Sequence, residues 1–156
     1  MKILAFDPYL TEDKAKSLDI QNTTVDEIAE QADFVTVHTP LTPKTRGIVG
    51  ESFFNNAKPN LQIINVARGG IIDEEALIHA LDNNLIDHAA IDVFEHEPPT
   101  DSPLISHDKI IVTPHLGAST VEAQEKVAVS VSEEIIDILT NGTVEHAVNA
   151  PKMDLS

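Results

Sequence analysis

Five short runs of apolar residues constrain this chain's fold more than any other feature. They fall at residues 2–6, 34–38, 62–66, 88–93 and 109–113, and each is nearly continuous rather than alternating apolar with polar. Continuous runs of this length suit strands covered by helices on both faces, as in a parallel sheet. A weaker strand candidate lies near residues 19–22, and the stretches between the runs carry helical patterning. Repeated alternation of strand and helix predicts an α/β fold with a mostly parallel sheet.

The helices announce themselves by their start signals. Thr24 with Glu27, and Ser119 with Glu122, have the spacing of a capping box. Asp73 can cap a helix running to Asn83, with Ala76, Leu77, Ala80 and Leu81 as its inward stripe. The last helix is expected over residues 121–139, burying Val121, Val127, Ala128, Val131, Ile135 and Ile138, and stopping at Asn141-Gly142. Breaker-rich loops lie at residues 40–43 and 98–103, and residues 148–156 read as an exit linker behind a domain spanning 1–147.

In a parallel α/β sheet, ligands sit at the carboxyl ends of the strands. Asp7, Thr39, Arg68, Asp92 and His115 all fall at or just after such ends. Arg68 precedes Gly69-Gly70, where the backbone can turn sharply and approach a ligand. Its planar guanidinium could grip a carboxylate in a bidentate manner and polarise an adjacent carbonyl. The alternative is a surface arginine paired with one of the many acids. His115 follows Pro114 at a strand end and can exchange a proton near neutral pH. A carboxylate beside it would orient the ring, and both Glu95 and Glu97 are close enough in sequence to serve. Asp7 can either bind ribose hydroxyls or cap a turn with Pro8. His38 reads as structural, and His79, His88, His96, His107 and His146 as solvated.

Composition excludes several classes of partner. The formal charge is −16, from 10 basic and 26 acidic side chains, which disfavours nucleic acid and anionic membrane as partners. No cysteine is present, so disulfides, thiol nucleophiles and cysteine-based metal sites are out. The histidines lack H-x-x-x-H spacing, and no metal is expected. No apolar run is long enough to span a bilayer, and a cytoplasmic protein is the default expectation. The six glycines (Gly47, Gly50, Gly69, Gly70, Gly117 and Gly142) nowhere form G-x-G-x-x-G. That phosphate-binding loop is expected about 20 residues before an acid such as Asp7, hence upstream of Met1.

Taken together, Asn65-Val66-Ala67-Arg68-Gly69-Gly70, Asp92-Val93-Phe94 with Glu97-Pro98-Pro99, and Pro114-His115-Leu116-Gly117-Ala118-Ser119-Thr120 resemble the NAD-dependent D-2-hydroxyacid dehydrogenases. The last segment, with Val148-Asn149-Ala150, is most similar to members that oxidise 3-phospho-D-glycerate; glycerate and lactate are alternative substrates. The resemblance implies a Rossmann-type doubly wound sheet, incomplete here, lacking its first strand and glycine-rich loop; the strand at 2–6 then either pairs directly with that at 34–38 or leaves two open edges, which favour a homo-oligomer. It implies NAD as cofactor and a small 2-hydroxy or 2-keto acid as partner. Arg68 would bind the substrate, and His115 would be the general acid/base, paired with Glu97 rather than Glu95. Asp7 would bind adenosine ribose, Thr39, Ala67, Gly117 and Ala118 would line the cofactor, and Asp92 would contact its nicotinamide end. Without the glycine loop, the isolated chain is expected to bind NAD poorly and to be inactive. A non-catalytic α/β module for binding or oligomerisation is the other class of reading.

Overall fold

All five apolar runs become strands, each shorter than the run that announced it. In the computed structural model, which describes residues 1–142 and Val144, the order is β1 (Leu4–Ala5), α1 (Glu12–Ser17), β2 (Gln21–Asn22), α2 (Val25–Gln31), β3 (Phe34–Val37), α3 (Glu51–Asn56), β4 (Gln62–Asn65), α4 (Glu74–Asp82), β5 (His88–Ile91), a 3-10 turn (Pro103–Ser106), β6 (Ile110–Val112) and α5 (Val121–Asn141). The chain divides into two units, Met1–His115 and Leu116–Ser156. The weak strand candidate is real, as β2.

Within the first unit, β3-β4-β5-β6 form one parallel sheet in sequence order, and β1-β2 a separate parallel pair. Of the two arrangements expected for the strand at 2–6, this is the one with open edges. Among the described strands, β1 pairs only with β2, and β3 only with β4. Ile3 and Phe6, flanking β1, remain exposed, as does Phe34 on β3.

Burial on the larger sheet alternates, contrary to the expectation of cover on both faces. Val37, Ile63, Asn65, Ala89, Ile91 and Ile110 are buried, whereas Phe34 is 64% and Ile111 72% exposed. The reason is topological. Four parallel strands laid down in one direction, joined by right-handed crossovers, place every intervening helix on the same face. α2, α3 and α4 pack in that row, with the 3-10 turn beyond α4. They enclose Phe53, Phe54, Leu61, Ile71, Leu77, Leu81, Ile86 and Leu104, the two phenylalanine rings meeting edge-on at 5.7 Å. Burying side chains of this size stabilises the unit by about 1.5–3 kcal/mol each.

The caps follow local chemistry. Thr24 Oγ1 accepts from Glu27 N, and Asp73 Oδ1 from Ala76 N, as anticipated. At α5 the cap moves by one residue: Thr120, not Ser119, accepts from Ala123 N. Ser119 is committed to a turn, its N–H donating to Leu116 O, so Thr120 is the last extended residue before the helix. α5 ends as expected, at Gly142 in the left-handed conformation with φ 67°. Its apolar stripe departs from expectation, because Val121, Val127, Val131, Ile135 and Ile138 are exposed and no α5 residue is buried. The second unit offers this helix no other described element to pack on. The expected exit linker at 148–156, including Val148-Asn149-Ala150, lies outside the described residues.

Candidate active site

Four of the five rim residues follow consecutive strands of one parallel sheet and therefore share its carboxyl edge. Thr39 lies beyond β3, Arg68 beyond β4, Asp92 beyond β5 and His115 beyond β6. Asp7 follows β1 and so belongs to the smaller sheet.

The turn carrying Arg68 is built by a buried residue the sequence reading used only as part of a motif. Asn65 is 2% exposed and closes the turn from both sides. Its Oδ1 accepts from Ala67 N at 3.1 Å, and its Nδ2 donates to Arg68 O at 3.0 Å. Gly69 then passes directly against the Phe94–Glu95 backbone; a Cβ there would stand 1.9 Å from Phe94 O. Arg68 is exposed, and its Nη1 donates to Ala67 O at 2.6 Å. It forms no ion pair with any carboxylate among the described residues, despite the acidic surroundings. The paired-surface alternative for this arginine therefore loses its basis.

His115 and Glu97 meet. His115 Nδ1 lies 2.8 Å from Glu97 Oε2, with both side chains partly exposed. The other oxygen of Glu97 accepts from Phe94 N at 3.1 Å. The His115 hydrogen bond, aided by that of Phe94, holds the Glu97 carboxyl below the ordinary glutamate range. A carboxylate at Nδ1 selects the tautomer protonated there, which leaves Nε2 for proton exchange. His115 also adopts φ 57°, a left-handed conformation uncommon for a residue with a Cβ. Glu95, the rival acid, is occupied elsewhere, with Arg46 Nη1 2.6 Å from its Oε1. Beside the pair opens a cleft of about 370 Å³, walled by Phe94, Pro98, Pro99 and Pro114.

Asp92 is 3% exposed, and its Oδ1 accepts a short hydrogen bond from Thr113 Oγ1. Thr113 was not singled out by sequence; a hydroxyl two residues before the histidine gives no local signal of its partner across the sheet. Asp7 does cap a turn, its Oδ1 accepting from Tyr9 N at 2.8 Å, while its second oxygen has no partner among the described residues. Thr39 is half-buried on the rim, close to Pro40 O. Gly117 and Ala118 fall in the second unit.

Among the other histidines, His38 bonds Thr36 Oγ1 at 3.0 Å, in keeping with a structural role. His88 and His107 form pairs with Asp87 and Asp82, and the His107 side chain is only 15% exposed. His107 is therefore structural rather than solvated: its Nδ1 also accepts from Lys109 N, drawing it into the 3-10 turn's exit. His146 lies outside the described residues. No helix among the described residues is long and apolar enough to cross a membrane.

The profile of the D-isomer specific 2-hydroxyacid dehydrogenase NAD-binding domain matches residues 1–117. The chain belongs to that family. It is 48% identical over 153 residues to D-3-phosphoglycerate dehydrogenase of Bacillus subtilis, covering 98% of this chain and 29% of the relative. Against the enzyme of that name from Methanocaldococcus jannaschii the identity is 46% over 154 residues, with coverage of 98% and 29%. The holo structure of Rhodotorula graminis D-mandelate dehydrogenase superposes with a TM-score of 0.85 at 30% identity, covering 97% of this chain and 46% of that one. D-lactate dehydrogenase from Lactobacillus jensenii with NAD+ gives 0.82 at 28% identity, covering 96% and 48%. The chain thus spans under a third of the length of these sequence relatives.

Membership makes NAD the cofactor of this domain. One carboxylate oxygen of Asp7, without a partner among the described residues, is of the kind that accepts from ribose hydroxyls, and Glu97 and His115 stand on the open cleft. The pyrophosphate finds no G-x-G-x-x-G turn in the sequence.

Proposed function

We propose that this chain is the acid/base half of an NAD-dependent dehydrogenase that converts 3-phospho-D-glycerate to 3-phosphooxypyruvate, the oxidation that opens serine biosynthesis. One observation carries the reading: an exposed arginine with no carboxylate partner among the described residues and a carboxylate-oriented histidine share the carboxyl edge of a single parallel sheet. The names of its most similar relatives supply the substrate. NAD, when bound, accepts a hydride from the carbinol carbon. Arg68 holds the substrate carboxylate and polarises the oxygen that becomes the carbonyl. His115 Nε2 takes the hydroxyl proton, and Glu97 at Nδ1 stabilises the imidazolium that results. Asp92, hydrogen-bonded by Thr113, would contact the nicotinamide end of the cofactor, and Thr39 and Ala67 would line it, as the family resemblance also implies for Gly117 and Ala118. The longer enzyme is cytoplasmic and homo-oligomeric in this reading, the second point supported by the open edges of β1 and β3.

The test has two arms. In the longer protein, oxidation of 3-phospho-D-glycerate is followed by NADH absorbance; Arg68→Ala raises KM and lowers kcat, while His115→Ala mainly lowers kcat. Undiminished turnover in both variants overturns the assignment. In the 156-residue chain, calorimetric titration with NAD yields weak or absent binding, because the pyrophosphate lacks glycine amides and a helix N-terminus. Micromolar affinity overturns that half of the reading.

A further inference from the structure

Three segments converge beneath the His115–Glu97 pair, and the ion pair that ties them together is unaccounted for by binding or proton transfer. The turn from Phe94 to Glu97 is closed internally by the Phe94 N–H donating to Glu97 Oε1, so it moves as a unit. Three outside contacts fix it. Gly69 lies against the Phe94 carbonyl, Glu95 N donates to Glu74 Oε1 at 2.7 Å, and Arg46 Nη1 meets Glu95 Oε1 at 2.6 Å. Arg46 is itself anchored, its N–H donating to Thr42 O and the next residue's N–H to Gly70 O, both at 2.9 Å. Its guanidinium lies over Gly70, where an added Cβ would stand 3.0 Å from Nη1.

We propose that Arg46 is a positioning residue, clasping Glu95 across Gly70 so that the 94–97 turn presents Glu97, and not Glu95, to His115. The pair is half-exposed, 55% and 44% for the two side chains, and exposed pairs add little to global stability. Its effect is local selection between two acids two residues apart. Released from Arg46, Glu95 becomes a mobile carboxylate beside the imidazole, and the turn keeps only its backbone contacts to the Arg68 loop. Lys at position 46 retains the charge but not the planar fork.

The clasp is read directly by NMR titration of the Glu97 carboxyl carbon in the 156-residue chain. In the wild type the His115 hydrogen bond holds Glu97 below the ordinary range. Arg46→Ala moves it back up toward that range, adding Glu95→Gln to that variant removes the rival acid and restores the depression, Arg46→Lys restores part of it, and melting temperatures change by less than about 2 °C. An unchanged Glu97 titration in Arg46→Ala overturns the proposal, whatever the melting temperature does. Should Arg46→Ala not fold, Arg46→Gln, which keeps a long side chain beside Gly70 without the charge, decides in the same way.

The catalytic consequence rests on the dehydrogenase reading. In the longer enzyme, Arg46→Ala lowers kcat about tenfold with KM changed less than about threefold. A shifted titration with kcat unchanged refutes a role in catalysis. A titration that shifts in Arg46→Ala while the wild-type longer protein oxidises no 2-hydroxy acid sinks the functional reading and leaves the clasp intact.

Discussion

Replacing Gly69 with alanine isolates the contact that sets the Arg68 loop against the Glu97 loop. The new methyl group would stand 1.9 Å from Phe94 O, 2.0 Å from Phe94 C and 2.5 Å from Glu95 N. All three are backbone atoms, so no side-chain rotation relieves the overlap. An ordinary contact requires a separation of roughly 3.5 Å, so the two loops must part by about 1.5 Å. Overpacking of this kind costs about 1–3 kcal/mol, and the backbone partners put Gly69→Ala at the upper end. For a domain of this size that is a drop of about 6–12 °C in Tm. Gly47→Ala is the control: Gly47 has φ +62° and nothing within 4 Å of its would-be Cβ, so its cost is conformational alone. A left-handed alanine costs about 1–2 kcal/mol. Circular-dichroism melts of both variants make the comparison, and Gly69→Ala should lose more. A Gly69→Ala chain melting within about 1 °C of wild type, or above Gly47→Ala, refutes the account of how the two loops are held. In the longer enzyme the same displacement should reduce kcat about a hundredfold, since an ångström's misplacement is enough for that.

Two further perturbations test the site. Asn65→Leu removes both hydrogen bonds that close the Arg68 turn and leaves Ala67 N and Arg68 O short of partners. It should destabilise the chain by about 1–3 kcal/mol in urea unfolding, and a loss below about 0.5 kcal/mol would show that the turn holds without it. The pH response follows from Glu97, whose folded pKa is depressed first by His115 and then by Phe94 N. Asp33 and Asp87 are depressed likewise, chiefly by hydrogen bonds from Lys58 and His88. A depressed acid contributes stability above its unfolded pKa and loses it as pH falls through the folded value. Tm should therefore fall on acidification from about pH 5 downward, and less steeply in Glu97→Gln. An identical pH profile for that variant would mean the pair contributes nothing in solution.

Much of this architecture was legible because its causes are local. The five apolar runs mark strands, since short runs rich in β-branched and apolar side chains, separated by helical patterning, suit strands better than helices. Thr24 and Asp73 were legible as caps, because a side-chain oxygen three residues before a free N–H is a matter of short-range geometry. Arg68 and His115 stood out by following strands in a parallel fold, where the rim is a consequence of topology. The spacing of Glu95 and Glu97 could not separate them; family resemblance favoured Glu97, and the fold shows why. Arg46, 49 residues away from Glu95, claims the first acid and leaves the second to His115.

What the sequence by itself determined is thus the set of strands, the helix caps at Thr24 and Asp73, and the polar groups at the strands' carboxyl ends. Tertiary structure alone decided which acid meets the histidine, which buried amide shapes the arginine turn, and that Thr113 reaches Asp92 across the sheet. It also decided that one sheet face and the α5 stripe are exposed where burial was expected. The physical reason is range. Strand and cap signals arise within a few residues, whereas the pairings of His115 with Glu97, Thr113 with Asp92 and Arg46 with Glu95 join residues 18 to 49 apart, through the sheet's parallel register and the close passage of two loops at Gly69.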